Sequence, residues 1–109
     1  MRDESLLLSV LGNSPEMRII DFFLDNKLFD FSKKEIMKET RMSKVTFYKV
    51  WKDIEKAKLV KIKRSFGKTK LYELNKKSQI VQCLTKIEDM LIEMEIEKKG
   101  KRIAVPVRR

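Results

Sequence analysis

The chain has 109 residues, 26 of them Lys or Arg against 16 Asp or Glu, for a formal net charge of +10, with no His and a single Cys. That length holds one domain and at most an appendage. The missing His removes the commonest general base and zinc ligand, and one Cys excludes an intrachain disulfide framework or an all-cysteine metal cage. No apolar run approaches the ~20 residues of a membrane span, so the expectation is a basic, cytoplasmic protein with no membrane association, no metal and no cofactor.

In chain order, Ser5–Leu11 reads as a short apolar helix closed by Gly12 and Asn13. Ser14, Pro15 and Glu16 make a helix start, with a capping hydroxyl, a proline in the first turn and an acid near the positive end of the helix dipole. Met17, Ile20, Phe23 and Leu24 follow at helical spacing, which predicts a core helix to about Asn26. Phe29–Phe31 has the length of a bridging strand and no more. Ser32 with Glu35 three residues on is a capping box for a helix spent by about Thr40. Arg41 and Met42 then make a tight turn, and Ser43 caps a helix of about 43–57. Its Phe47, Val50, Trp51, Ile54 and Ala57 share one face. Leu59–Arg64 and Lys70–Leu74 alternate as strands around a hairpin turn at Ser65–Thr69. From Lys76 to about Lys99 the pattern is helical without a break. Gly100–Arg109 reads as a loose basic tail, either adding phosphate contacts or adding an edge strand through Ile103–Val107.

This order predicts a mainly α fold with one small β-hairpin (α+β): a winged helix-turn-helix with an extra N-terminal helix and a long C-terminal dimerisation helix. The expected divisions are 1–75 for the DNA-binding domain (recognition helix 43–57, wing about 60–74), 76–99 for the dimerisation helix and 100–109 for the tail. The charge follows that division. Residues 31–75 carry 14 Lys/Arg against 5 Asp/Glu, residues 1–30 are net negative, and residues 76–99 are balanced. A solvated face usually mixes its signs, so a one-signed segment with Tyr48, Trp51 and Phe66 among its lysines points to a polyanion.

In a helix-turn-helix, the outer face of the second helix enters the major groove, and its N-terminal residues reach base edges. With Phe47, Trp51 and Ile54 inward, the candidates for base readout are Lys44, Val45, Thr46 and Tyr48. Lys donates to guanine, and Thr or an apolar group meets a thymine methyl. Ser32, Lys33, Ser43, Lys49 and Lys52 are the candidates for phosphate contacts, and Arg64, Ser65, Lys68 and Lys70 of the wing would lie along the backbone or in the minor groove. Trp51 is assigned to the core rather than to base stacking, and Cys83 to a small buried position beside a helix interface.

The segment MSKVTFYKVWKDIEKAKLV (residues 42–60) resembles the recognition-helix signature of winged-helix regulators in the broad ArsR/MarR-like superfamily. Lys70–Asn75 resembles the strand that closes their wing, and Leu11–Ile20 the opening of many archaeal members. The likeness spans about residues 6–94. It implies duplex-DNA binding and transcription regulation. Lys58 stands where the family usually has Gly, which implies a differently shaped turn into the first wing strand. The Cys and His clusters of the family's metal sensors are missing, so metal-responsive repression is not implied.

In the last helix, Ile80, Leu84, Ile87, Leu91 and Met94 repeat at heptad spacing, widened by Val81, Cys83 and Met90; Ile80–Leu84 can pack on the chain's own domain beside the Ser5–Leu11 helix, but the rest reaches further, which predicts pairing with the same helix of a second chain. A two-fold homodimer would present two recognition helices about one DNA turn (~34 Å) apart on a near-palindromic site. Two other readings stay open: a sequence-neutral DNA-coating or plasmid-maintenance protein, and a winged helix serving as a protein-interaction module. An enzyme has nothing to work with, since the chain lacks His, a phosphate-binding glycine loop and a pair of acids in a pocket.

Overall fold

The computed structural model describes residues 5–103, with backbone only at 100–103. The elements are α1 (Leu6–Leu11), α2 (Pro15–Asp25), α3 (Lys33–Thr40), α4 (Lys44–Lys56), β1 (Val60–Phe66), β2 (Thr69–Leu74) and α5 (Gln79–Ile103). The local chemistry that starts each helix is visible. The hydroxyls of Ser5, Ser14, Ser32 and Ser43 accept from the backbone N–H three residues on, and at Ser32 the Glu35 carboxylate closes the capping box. Each such cap satisfies donors that the helix cannot pair itself, an effect of about 1 kcal/mol. Phe31 makes the expected bridge, pairing with Tyr72 through two backbone hydrogen bonds of 2.8 and 2.7 Å.

The core lies where α2, α4 and β2 meet, and it is aromatic at its centre. The Trp51 ring stacks on Phe47 at 5.0 Å and 22°, and meets Tyr72 nearly edge-on at 5.1 Å. Phe23 of α2 closes the other side at 6.5 Å. Trp51, Phe47, Phe23, Ile19, Ile36 and Ile54 are all buried. The Trp51 Nε1 is buried without a hydrogen-bond partner among the described residues, a cost of about 1–3 kcal/mol that the ring packing must exceed.

Several boundaries differ from the sequence expectation. The strands run to Phe66 and from Thr69, so the turn is only Gly67 and Lys68, and Ser65 belongs to β1 rather than to the tip. Gly67 takes φ 59°, which a tight two-residue turn needs and which costs glycine nothing. Lys63 is bulged, because the register slips between Ile62 and Arg64. On β2 the buried pair is Tyr72 and Leu74, and Leu71 lies on the other side. Ala57 is the exposed end of α4 rather than part of its inner face. Ser78 starts α5, accepting from the Val81 N–H, three residues later than the sequence pattern suggested. The helix continues through Gly100 to Ile103, past the expected end at 99, and the remainder of the expected tail lies outside the described residues.

One expectation for α5 is corrected, that of a buried Cys83. Leu84 and Leu91, two of the five positions expected on the dimer seam, are half-buried and pack against the chain's own core beside the buried Val81. The turn of 100° per residue puts residues 81, 84, 88 and 91 on one side of α5, where Val81 and Leu84 line a small cavity with Ile20, Phe23 and Leu24 of α2. Ile80, Cys83, Ile87, Met90 and Met94 remain exposed, so Cys83 is a surface thiol rather than a buried one. The radius of gyration is 16.4 Å, against about 13 Å for a compact domain of this length, and the principal extents are 57 × 30 × 21 Å. A 25-residue helix accounts for the elongation, because it runs about 38 Å and outreaches the core beneath it.

Lys58 has φ 58°, the left-handed conformation that a glycine would take there. The turn therefore keeps the glycine-like backbone despite its lysine. It is held by the Asn75 side chain, which donates to the Lys58 carbonyl at 2.8 Å, and by the Asn75 N–H on the Leu59 carbonyl at 2.9 Å. A left-handed non-glycine residue costs about 1–2 kcal/mol, partly offset by the backbone entropy that a glycine would add to the unfolded chain. Lys58→Gly should accordingly leave stability unchanged or raise it by up to about 1 kcal/mol. Lys58→Val should lower it by more than that, with urea denaturation as the measurement.

Candidate nucleic-acid interface

The residues expected to read bases sit on the solvent side of α4, opposite its core stripe. Phe47, Val50, Trp51 and Ile54 are inside, while Lys44, Val45, Tyr48, Lys49 and Lys52 are exposed and Thr46 is half-buried. Val45 is 80% exposed in the first turn of the helix, an apolar branched side chain left open among the described residues. Tyr48 is partly fixed. Its ring meets Phe47 edge-on at 5.2 Å, and the Lys33 ammonium lies 5.4 Å from its centre and 5.9 Å from that of Tyr72. Lys33, expected on a phosphate, thus stands over two aromatic faces, an attraction of about 0.5–1 kcal/mol at an exposed site.

The serines expected on phosphates are also helix caps. Ser43 Oγ donates to Thr46 Oγ1 at 3.0 Å while accepting the Thr46 N–H, which leaves the threonine its own hydroxyl proton for another acceptor. Ser32 is occupied on both sides of its cap, its backbone N–H held by Glu35 at 2.8 Å.

Two charged contacts fix how α4 and the hairpin stand on the core, and sequence reasoning missed both. The Arg18 guanidinium of α2 donates to the carbonyl of Thr40 and, at 3.4 Å, to that of Arg41. These are the carbonyls of the last residue of α3 and of its cap, and Arg41 is itself left-handed at φ 54°, so Arg18 pins the start of the turn between α3 and α4. At the other end, Arg64 makes a two-pronged contact with Asp30, at 2.8 and 3.3 Å, and lies 5.2 Å from the Phe66 ring. Arg64 was expected among the cations offered by the wing; Asp30 already holds it, and it anchors the hairpin to the segment after α2. Lys61 and Lys63 both reach Glu73, at 3.6 and 3.8 Å. Lys68 and Lys70 form no ion pair among the described residues and stand exposed near the tip with Ser65. No signal in the sequence separates Arg18 or Asp30 from any other surface charge, because their partners lie 22 and 34 residues away.

Among the described residues, no helix is long and apolar enough to cross a membrane. An exposed ion pair contributes about 0.2–1 kcal/mol, more when two-pronged, so the Asp30 contact should matter more for the pose of the hairpin than for stability. Asp30→Ala should lower stability by no more than about 1 kcal/mol and raise amide hydrogen exchange across residues 62–70 at least threefold. Exchange in α2 and α4 should stay as it was.

No protein-family model and no curated protein matches the chain in sequence. Solved structures do match in shape. A mutant of MepR from a multidrug-resistant Staphylococcus aureus clinical isolate superposes with a TM-score of 0.67 at 10% identity, over 90% of this chain and 70% of that one. MepR itself, described as a transcription regulator of the S. aureus multidrug efflux pump MepA, gives 0.58 at 15% identity, over 84% and 69%. A possible transcriptional regulator from Methanosarcina mazei gives 0.52 at 12% identity, over 94% and 87%. At such identities the shared property is the fold. The chain shares the winged-helix fold of these structures, α+β with five helices and one two-stranded wing among the described residues.

Proposed function

We propose that the chain is a non-catalytic, sequence-specific regulator that binds duplex DNA as a homodimer. The observation that carries the reading is the outer face of α4. Lys44, the exposed Val45 and the half-buried Thr46 occupy the first turn of a helix whose opposite face is locked into the core. A major groove about 12 Å wide admits such a helix, and base edges offer partners for a cation, a hydroxyl and an apolar group side by side. Lys49 and Lys52 one turn further on, with Lys68 and Lys70 of the wing, supply phosphate contacts, while Lys33 and the caps Ser32 and Ser43 border the same face. The described solved structures that share the fold include transcription regulators, which supports the same reading. Such a protein would work in the cytoplasm, on the nucleoid.

The dimer is proposed on the seam that α5 leaves uncovered. Ile80, Cys83, Ile87, Met90 and Met94 recur at intervals of three and four along a helix that outreaches its own core. A second copy covers this stripe and sets two recognition helices at the ~34 Å spacing of one DNA turn on a near-palindromic operator.

Three substitutions and a salt series test the readout. Lys44→Ala and Tyr48→Ala should weaken a selected site by about 1–3 kcal/mol more than random duplex; Lys68→Ala should weaken both alike. A dimer that neutralises about eight phosphates should show log K falling against log salt with a slope near −7, flatter for Lys68→Ala. Equal losses on selected and random DNA for all three would favour the sequence-neutral coat, and affinity no greater than that of any protein of this charge would favour the protein-interaction module.

For the dimer, Ile87→Glu with Met90→Glu should give a folded monomer in sedimentation equilibrium. Operator affinity should fall on the order of a hundredfold as the second contact is lost.

A further inference from the structure

The hairpin ends in an aromatic ring that the core does not use. β1 is buried at Val60 and β2 at Tyr72 and Leu74, so the pair is anchored at one end while residues 61–70 all stand exposed. Phe66 is the last residue before the turn and is 59% exposed. A single exposed apolar side chain is ordinary on a protein surface; this one is set apart by its position and by how it is held.

Arg64 stands two residues back, on the same face of the strand, and its guanidinium lies 5.2 Å from the centre of the Phe66 ring. Asp30 holds that guanidinium in turn through its two contacts of 2.8 and 3.3 Å, so the ring is braced from the body of the protein without being covered. Beyond the ring the chain reverses over Gly67 and Lys68 alone, and the register pairs Phe66 with Thr69. Lys68 and Lys70 flank the ring and form no ion pair among the described residues. The outermost part of the wing is thus a braced phenyl ring between free cations, while the wing's arginine is already engaged.

Paired strands lie about 4.8 Å apart, and a minor groove is about 6 Å wide, so only the tip of such a hairpin can enter one. Proteins that enter this groove drive apolar side chains between base steps, unstacking them and kinking the duplex. We propose that Phe66 is such a wedge: the wing tip inserts the ring between two base pairs in the minor groove and bends the DNA by about 20–90°. Lys68 and Lys70 hold the neighbouring phosphates while the step opens. The wedge rests on the reading of the chain as a duplex-DNA binder and adds an activity to it, DNA bending. It also adds a source of specificity that no hydrogen bond supplies. Pyrimidine–purine steps part most easily, so a TA or CA step is the preferred partner beneath each wing.

The test uses the full chain and a short selected duplex with a donor dye at one end and an acceptor at the other. In a second series, 2-aminopurine replaces each adenine in turn. Wild type should raise energy transfer and brighten 2-aminopurine at one step per wing. Phe66→Ala should lose most of both signals at saturation, with affinity about tenfold lower or less. Phe66→Leu, still apolar and able to insert, should keep most of the bend. Lys68→Ala should bind more weakly yet bend the duplex fully once it is saturated. Because Phe66 is exposed, its variants should unfold in urea as wild type does. A saturated duplex that stays straight, a bend without any 2-aminopurine signal, or a Phe66→Ala complex bent as far as wild type would overturn the wedge and leave the DNA-binding reading standing. No binding to any duplex would overturn both.

Discussion

The packing of Trp51 is the contact on which the rest depends. Its ring faces Phe47 on its own helix, Tyr72 on β2 and Phe23 on α2, so one side chain ties the candidate reading helix to both the wing and the scaffold helix. Truncating a buried Trp costs about 3–5 kcal/mol, much of the 5–15 kcal/mol that holds a small domain together. The fold accepts an orphaned indole N–H to keep this ring in place, which shows how far shape outweighs one hydrogen bond here. Because that inner face is fixed so firmly, the outer face can carry lysines and an uncovered valine without any structural duty.

Smaller polar contacts then aim what the core has fixed. Arg18 holds the turn before α4, and Asp30 with Arg64 holds the hairpin after it, so both parts of the candidate interface are tethered to α2 or the segment that follows it. The basic central segment separates into two populations. Arg64, Lys61, Lys63 and Lys33 are engaged with protein groups, whereas Lys44, Lys49, Lys52, Lys68 and Lys70 have no ion pair among the described residues. The second population is the polyanion-facing one in the proposed function.

Much of this was legible in the sequence because the signals were local. Ser-capped helix starts, the capping box at Ser32 and Glu35, and the inward stripe of α4 depend on neighbours three or four residues apart, and all but Ala57 at the end of that stripe stand where the pattern put them. What was not legible depends on distant neighbours. Heptad counting cannot tell that Leu84 and Leu91 also pack against the core, or that Cys83 stays exposed. Nor can it tell that Glu88 of α5 brings a carboxylate oxygen within 4.8 Å of those of Asp21 and Asp25 on α2. The turn at Lys58 failed differently: a lysine there suggested a changed backbone, but the surrounding contacts impose the left-handed conformation regardless.

The central claim is that α4 and the wing tip together form the surface that meets duplex DNA, while α5 does not. Backbone amide shifts of the isotope-labelled full chain, followed while a short selected duplex is added, test it most directly. Perturbations concentrated at residues 43–52 and 66–70, with the exposed stripe of α5 unmoved, are the expected result. Shifts centred on α5, or spread evenly over every basic surface, would contradict it.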